Sequence, residues 1–96
     1  MEEATQLPRV VIRYCPRCNW LLRSAWMAQE LLSTFSEQLG EVALQPAGGG
    51  EFSICVDGDL IWERKRDGGF PDVKELKQRV RDRVDPEKDL GHVDRS

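Results

Sequence analysis

Residues 13–20 read RYCPRCNW and join an apolar, strand-like run to a long helix-like pattern. Within this junction, two residues separate Cys15 from Cys18. Two thiols form a disulfide only if their α-carbons come within roughly 7 Å, and a single turn between a strand and a helix achieves this. The spacing therefore predicts a redox site made of Cys15 and Cys18.

The residues around the two cysteines favour a thiolate. At the start of a helix, free N–H groups and the helix dipole stabilise a negative sulfur and can lower a cysteine pKa below its ordinary value of about 8.5. Arg17 adds a positive charge between the sulfurs, or serves only to keep the turn soluble. Pro16 fixes one φ angle, which stiffens the turn and suits a residue entering a helix.

The composition is that of one small globular domain. With 96 residues, of which 40% are hydrophobic and 32% charged, the chain is large enough for a single core and too small for two. The predicted domain spans residues 9–84, between an N-terminal extension over 1–8 and a flexible tail over 85–96. Residues 1–8 lack the apolar segment of a signal peptide, and no later run approaches the ~20 apolar residues of a membrane span, so a cytoplasmic protein is predicted.

The charge balance argues against nucleic-acid binding. The net charge is -3, whereas binding to a phosphate backbone depends on a concentrated positive face. The basic run at residues 64–66 is therefore interpreted as part of a solvated loop.

Hydrophobic spacing predicts the first strand and the first helix. Residues 9–14 alternate in the manner of a largely buried strand, with Val10, Ile12 and Tyr14 on one side. From Cys18 the apolar spacing changes to three and four residues, which predicts a helix of about six turns that ends at Gly40. Trp26 falls on the side of this helix that faces away from the core. The predicted buried stripe comprises Leu21, Ala25, Ala28, Leu32, Phe35 and Leu39.

Three further strands and one helix follow. Residues 41–47 are predicted to form a second strand, parallel to the first, and residues 52–56 and 60–63 form a hairpin around Asp57-Gly58. After a loop at 64–69, Phe70-Pro71-Asp72 begins the second helix with proline at its first position. The buried stripe of that helix is predicted to comprise Val73, Leu76, Val80 and Val84.

The order β-α-β-β-β-α predicts an α/β, thioredoxin-like two-layer sandwich. Both helices cover one face of a four-stranded mixed sheet, and the other face is partly open. By alternation, the open face carries a semi-polar set that is predicted to be a partner or homodimer surface: Val11, Arg13, Ala43, Ser53 and Cys55. The proline that faces the active site of thioredoxins is not evident, because the glycines at 48–50 occupy that region.

Three stretches resemble the Rdx group of thioredoxin-like proteins, the selenoprotein W, T and H family, in a bacterial-type form with cysteine in place of selenocysteine. They read VVIRYCPRCNW at residues 10–20, FSICVDGDLIWERK at 52–65 and DGGFPD at 67–72. The resemblance covers most of residues 9–84.

The resemblance implies a thiol oxidoreductase or a redox-responsive protein, with thioredoxin or glutathione as electron partners. No cofactor and no metal is predicted. The family's selenocysteine falls at the second position of the motif, which is Cys18 here. In thioredoxin the first cysteine attacks and the second resolves the mixed disulfide, so the attacking sulfur stays open between Cys15 and Cys18.

Each feature also has a simpler explanation. CxxC is half of a tetrahedral zinc site, but a second half is missing from the sequence: Cys55 lies in a strand pattern, and the sole histidine, His92, lies in the predicted tail. Cys55 is therefore predicted to be a small core residue. Trp20 is predicted to pack beside the motif, whereas Trp62 and Trp26 serve either as partial core or as partner contacts.

Two functions from different classes follow. The first is a thiol-disulfide redox protein that cycles between dithiol and the Cys15–Cys18 disulfide. The second is a redox-sensing interaction module, in which the disulfide changes the shape of a partner surface without substantial turnover. A metal site shared across a dimer is a third alternative.

Overall fold

Four strands and three helices follow one another along residues 7–91, the part of the chain that the computed structural model describes. The strands are β1 (Arg9–Tyr14), β2 (Glu41–Pro46), β3 (Phe52–Val56) and β4 (Asp59–Glu63). The helices are α1 (Leu21–Thr34), α2 (Arg64–Asp67) and α3 (Val73–Val84), and a 3₁₀ turn (Pro16–Cys18) lies between β1 and α1.

The strands form one mixed sheet in the order β2-β1-β3-β4. β1 is parallel to β2 and antiparallel to β3, and β3 is antiparallel to β4. This confirms the predicted four-stranded α/β architecture. Because β1 lies inside the sheet with a neighbour on each side, the residue that follows it, Cys15, leaves the sheet from a firmly held position.

The core lies between one face of the sheet and the helices. Val10, Ile12 and Tyr14 of β1 are buried, as the alternation predicted. In the antiparallel register, Ile12 pairs with Ile54 and Tyr14 pairs with Phe52. These side chains join the buried residues of α1 and α3 in a single hydrophobic cluster, which positions β1 and α1 against each other at the site.

The first helix is shorter than predicted at both ends. It begins at Leu21, because Asn19 adopts a left-handed conformation (φ 61°) that interrupts the helical path after the 3₁₀ turn. It ends at Thr34, and irregular turns lead to Gly40, whose N–H donates to the Pro8 carbonyl (2.9 Å). A Cβ at Gly40 would lie 3.2 Å from Leu7, so a close approach, not a helix end, favours glycine there.

The buried side of the first helix agrees only in part with the predicted stripe: Ala28, Phe35 and Leu39 are buried as predicted, but others of the stripe are not. Leu21 and Leu32 are 46% and 43% exposed. The residues of α1 that face the core are Ser24, Met27, Ala28 and Leu31. Large apolar side chains lie on several sides of this helix, so spacings of three and four residues fit more than one stripe, and only contact with the sheet selects one. The exposure predicted for Trp26 is confirmed.

Residues 64–69, predicted to be a loop, contain the short helix α2. The Glu63 carboxylate accepts a hydrogen bond from the Arg66 N–H (2.7 Å) at its start, and Gly68 ends it at a φ of 83°. The start of α3 differs as well, because Asp72 is its N-cap and accepts from the Glu75 N–H (2.8 Å). Proline therefore precedes the cap and is not the first helical residue.

The predicted stripe of the second long helix is confirmed at its centre, where Leu76 and Val80 are buried. The predicted tail is described only as far as Gly91, and Leu90 packs against the core. Residues 1–6 and 92–96, which include most of the predicted extension and His92, lie outside the described residues. No helix within residues 7–91 is long and apolar enough to cross a membrane.

Asp67 connects α2 to the end of β4 and makes stability depend on pH. Its carboxylate accepts hydrogen bonds from the Glu63 N–H (2.9 Å) and the Arg66 guanidinium (2.8 Å). The Glu63 N–H, followed by Arg66, holds the pKa of Asp67 below its ordinary value. Because the folded-state pKa is lowered, this stabilisation is present above about pH 4 and is lost as the pH falls through the folded pKa.

We therefore expect Asp67→Asn to lower the free energy of unfolding at pH 7 and to flatten its decline in acid. Urea denaturation between pH 3 and pH 7 measures both effects. Asp82→Asn is the matched control, because the Asp82 side chain is 66% exposed. An Asp67→Asn curve parallel to that of the wild type would contradict the prediction.

Candidate functional site

Cys15 and Cys18 form a disulfide, with their α-carbons 5.4 Å apart. β1 ends at Tyr14, and the 3₁₀ turn then brings the second cysteine back toward the first. The Cys18 N–H donates to the Cys15 carbonyl (3.3 Å), and the Asn19 N–H donates to the Pro16 carbonyl (3.3 Å). The predicted proximity of the two thiols is thus present in the structure.

The local sequence explains this turn. Proline at the first position of the 3₁₀ turn has its φ fixed near the helical value and has no N–H to satisfy. Asn19 closes the turn in the left-handed region, which asparagine tolerates better than most residues. Together they set a tight bend directly after the strand.

The two sulfurs differ in exposure. Cys15 is 1% exposed and lies among the buried residues, whereas Cys18 is partly exposed. Arg17, between them, is exposed. Cys18 is therefore the more exposed cysteine of the pair.

The helix start is farther from the sulfurs than predicted. Trp20 is the N-cap of α1, so the free N–H groups of the first helical turn belong to residues that follow the motif. Cys18 lies at the end of the 3₁₀ turn, separated from α1 by Asn19 and Trp20. The expectation that the cysteines occupy the first turn of the long helix is wrong, because the left-handed Asn19 separates the two elements.

An aromatic cluster supports the site from one side. The Trp20 ring lies edge-on to Phe70, with centroids 5.0 Å apart, and Phe70 lies edge-on to Phe52 at 4.7 Å. The Arg23 guanidinium lies 4.4 Å from the Phe70 centroid. The packing role predicted for Trp20 is confirmed, and the cluster connects the segment after Cys18 to the buried end of β3.

Arg64 makes a second contact with the Trp20 ring. Its guanidinium lies 5.1 Å from the Trp20 ring centroid, and its Nε donates to the Gly50 carbonyl (3.2 Å). It therefore connects α2, the loop before β3 and the residue that caps α1. The prediction that Arg64 belongs to a solvated loop is wrong, because it contacts the Trp20 ring and the Gly50 carbonyl. Both partners are distant in the chain, so no local sequence pattern indicates them.

A hollow of about 320 Å³ is lined by Pro16 and Asn19, from the turn that contains the disulfide, and by Leu21 and Leu22 of α1. Leu22 is 83% exposed at its edge. Sequence reasoning missed this feature because it assigned Leu21 to the buried stripe. The one available signal was the pair of adjacent leucines directly after the motif.

Trp62 and Cys55 lie away from the two sulfurs. Trp62 is buried, its Nε1–H donates to the Gly69 carbonyl (2.8 Å), and the Arg79 guanidinium lies 4.5 Å from its ring centroid. The core role is therefore confirmed, and the partner-contact alternative is wrong. Cys55 carries a free, partly buried thiol and pairs with Val11 on the sheet face opposite the helices.

The predicted partner surface on that open sheet face has a charged border. Arg13 donates to the carboxylate of Glu51 (2.8 Å) and to the amide oxygen of Gln45 (3.1 Å). The hydrogen bond from Arg13 holds the pKa of the Glu51 carboxyl below its ordinary value. Whether a homodimer forms on this face stays a prediction.

The described part of the chain contains no cluster of side chains suited to a metal ion. Within residues 7–91, no group of three or more His, Cys, Asp or Glu side chains is placed to hold a metal ion. The sole histidine, His92, is outside that range.

Comparison with known proteins assigns the family. The model of the Rdx family matches residues 9–82. The chain belongs to the Rdx family. The resemblance drawn from its three sequence stretches is thereby confirmed, and the matched residues of this Rdx protein contain both cysteines of the motif.

Solved structures of related proteins agree with the fold. The crystal structure of a selenoprotein W-related protein from Vibrio cholerae has a TM-score of 0.81 and 57% sequence identity, and the match covers 83% of this chain and all of that one. A crystal structure of a Bordetella parapertussis protein has a TM-score of 0.81 and 61% identity, over 82% of this chain and all of that one. The predicted thioredoxin-like α/β class is confirmed.

Curated relatives are more distant. Migration and invasion enhancer 1 of Bos taurus is 31% identical over 75 residues, which cover 76% of this chain and 62% of that protein. The mouse protein of the same name is 28% identical over 81 residues, covering 82% of this chain and 67% of that protein. The chain thus spans less than two thirds of the bovine relative. Family membership, together with the paired cysteines, is consistent with a redox function.

Proposed function

We propose that this Rdx protein is a thiol-disulfide redox protein that cycles between a dithiol and the Cys15–Cys18 disulfide. One observation carries the proposal: a single turn holds the two α-carbons 5.4 Å apart, with one sulfur partly exposed and the other buried. An exposed sulfur exchanges with a partner, and a buried neighbour within bonding distance completes the exchange inside the protein.

In the reductive direction, the Cys18 thiolate attacks one sulfur of a substrate disulfide. The substrate S–S bond breaks, a mixed disulfide forms at Cys18, and the first substrate sulfur leaves as a thiolate that takes a proton from water. Cys15 then loses its proton to solvent and attacks the Cys18 sulfur. The mixed disulfide breaks, and the second substrate sulfur leaves as a thiolate that takes a proton from water. The protein now contains the Cys15–Cys18 disulfide, so it has been oxidised by two electrons and the substrate has been reduced by two.

Accessibility supports Cys18 as the attacking sulfur. The family resemblance points to the same position, whereas the thioredoxin precedent points to the first cysteine. Burial of Cys15 at 1% exposure supports Cys18 in this proposal, because an attacking thiolate must reach the sulfur of its partner.

A reductant must return the protein to the dithiol. Either thioredoxin or two equivalents of glutathione supplies the two electrons by the same exchange chemistry. A reducing compartment such as the cytoplasm suits this cycle, because its thiol pools keep the pair reduced between turnovers.

The reduction potential tests the proposal. The protein is equilibrated in glutathione buffers of graded composition, and the disulfide is quantified by mass spectrometry. We expect a reversible two-electron couple at roughly -270 to -200 mV, the range of thioredoxins and glutaredoxins. Cys55→Ser is the control and should retain the couple. A pair that never oxidises, or that copurifies with zinc, would contradict the redox cycle.

A further inference from the structure

Large apolar side chains are exposed in α1 directly after the turn that carries Cys18. Leu21, Leu22 and Trp26 are 46%, 83% and 46% exposed. Leu22 and Trp26 are four residues apart in α1, so they are neighbours on one face of the helix. Single exposed leucines are common on protein surfaces, but several together at the rim of a hollow mark a binding site.

The charged side chains of the 3₁₀ turn and of the first turn of α1 have one sign. Arg17 and Arg23 are exposed, and neither the 3₁₀ turn nor the first turn of α1 contains an acidic residue. Glu30, the acidic residue of α1, forms an ion pair with Lys77 (2.8 Å). The 3₁₀ turn and the first turn of α1 therefore contribute two exposed positive charges and no negative one, although the chain as a whole carries a net charge of -3.

We propose that these residues form a docking face for a segment of a protein substrate. The docking face comprises Pro16, Leu21, Leu22 and Trp26, flanked by Arg17 and Arg23. The segment it accepts carries apolar side chains next to its reactive cysteine and a carboxylate beyond them. This inference rests on the proposed redox function and names the substrate class of the same site.

The dimensions of the hollow favour side chains of a peptide over a large cofactor. Its volume of about 320 Å³ is at the lower end of the range of roughly 300–1,000 Å³ for ligand sites. Leu22 and Trp26 extend the apolar surface along α1 beyond the hollow. Glutathione has carboxylates but no apolar side chain, so it matches the charges and leaves the apolar surface uncovered.

The test compares disulfide exchange with three probes. Two are symmetric disulfide dimers of five-residue peptides, one with the central cysteine flanked by leucine and then glutamate, the other by serine and then lysine. The third is glutathione disulfide. The reduced protein attacks either sulfur of each dimer and releases two thiols, which are quantified by chromatography. Each rate is divided by that of the same probe with dithiothreitol, which corrects for its intrinsic reactivity.

We expect the acidic, apolar peptide to react at least about ten-fold faster than the basic, polar one, since burying apolar side chains at the docking face stabilises the encounter. In Leu22→Ser, the ratio of the acidic-peptide rate to the glutathione disulfide rate should fall by about three-fold or more. Leu32→Ser is the matched control, because Leu32 lies near the other end of α1 with 43% exposure. Its ratio should equal that of the wild type.

Equal corrected rates for both peptides would overturn the docking face while leaving the redox function intact, provided that glutathione disulfide still reacts. A preference for glutathione disulfide that Leu22→Ser reduces would assign the hollow to that tripeptide instead. Failure of all three probes would overturn the proposed function together with the docking face. A fall in the ratio of the acidic-peptide rate to the basic-peptide rate in 1 M salt would support the contribution of Arg17 and Arg23, and an unchanged ratio would contradict it.

Discussion

Cys18→Ser is expected to reduce the rate of disulfide exchange by a factor of about a thousand or more, to the background of the buried thiol. A serine hydroxyl cannot replace the thiolate as nucleophile, and the sulfur that remains, on Cys15, is 1% exposed. Cys15→Ser should behave differently. Its Cys18 can still attack, but nothing resolves the product, so one substrate thiol stays bound to each protein molecule.

Intact mass spectrometry distinguishes the two variants after incubation with glutathione disulfide. Cys15→Ser should accumulate one adduct that dithiothreitol removes, and Cys18→Ser should remain largely unmodified. Both serine variants are made in a Cys55→Ser background, because Cys55 carries a free, partly buried thiol that forms adducts of its own if glutathione disulfide reaches it. The reverse pattern, with the adduct on Cys18→Ser, would assign the attack to Cys15 and contradict the argument from exposure.

Phe52→Ala is expected to lower the free energy of unfolding by about 3–5 kcal/mol. Phe52 is fully buried, lies beside Tyr14 in the sheet register and contacts the ring of Phe70. Truncation removes an aromatic ring from the core and leaves a cavity between β3 and the segment that supports Trp20. Since small domains are stable by only about 5–15 kcal/mol, a large part of the fold's stability depends on this ring.

Urea denaturation of the oxidised protein measures this loss. If the variant and the wild type differ in the midpoint of unfolding but share the same dependence of free energy on urea concentration, only stability has changed. Leu60→Ala is the matched control from the same hairpin. Leu60 is exposed, so its truncation should cost no more than about 0.5 kcal/mol. A loss of similar size in both variants would contradict the assignment of Phe52 to the centre of the core.

The proposed division of roles between the two cysteines rests on where the sheet ends. Cys15 comes directly after Tyr14 of an internal strand and is covered by the layer above the sheet, whereas Cys18 completes a turn that leads away from it. The order of exposure along the motif is therefore the reverse of that expected from thioredoxin. This asymmetry is what makes the two serine variants informative.

Features that depend on neighbours in the chain were predictable from the amino-acid sequence. Alternation identified all four strands, and the spacing of two residues between the cysteines indicated their proximity. The hairpin at Asp57-Gly58 and the parallel pairing of β1 with β2 follow from turn chemistry and from a helical crossover. In each case the cause acts within a few residues or through one connection.

Features that depend on contacts between distant segments were not predictable. The face of α1 that packs on the sheet was only partly predicted: Leu21 and Leu32 were assigned to it wrongly, because periodicity allows several stripes on a helix with apolar residues on many sides. Arg64 was not connected to Trp20, and the hollow next to Pro16 was not anticipated. A local pattern contains no information about partners that lie far along the chain.

The sequence by itself thus determined the strands, their order of connection and the position of the paired cysteines, because short-range sterics and hydrophobic spacing specify them. Only the tertiary structure decided which sulfur is accessible and which leucines surround it. Both depend on which face of α1 packs against the sheet, and packing of the whole core sets that orientation.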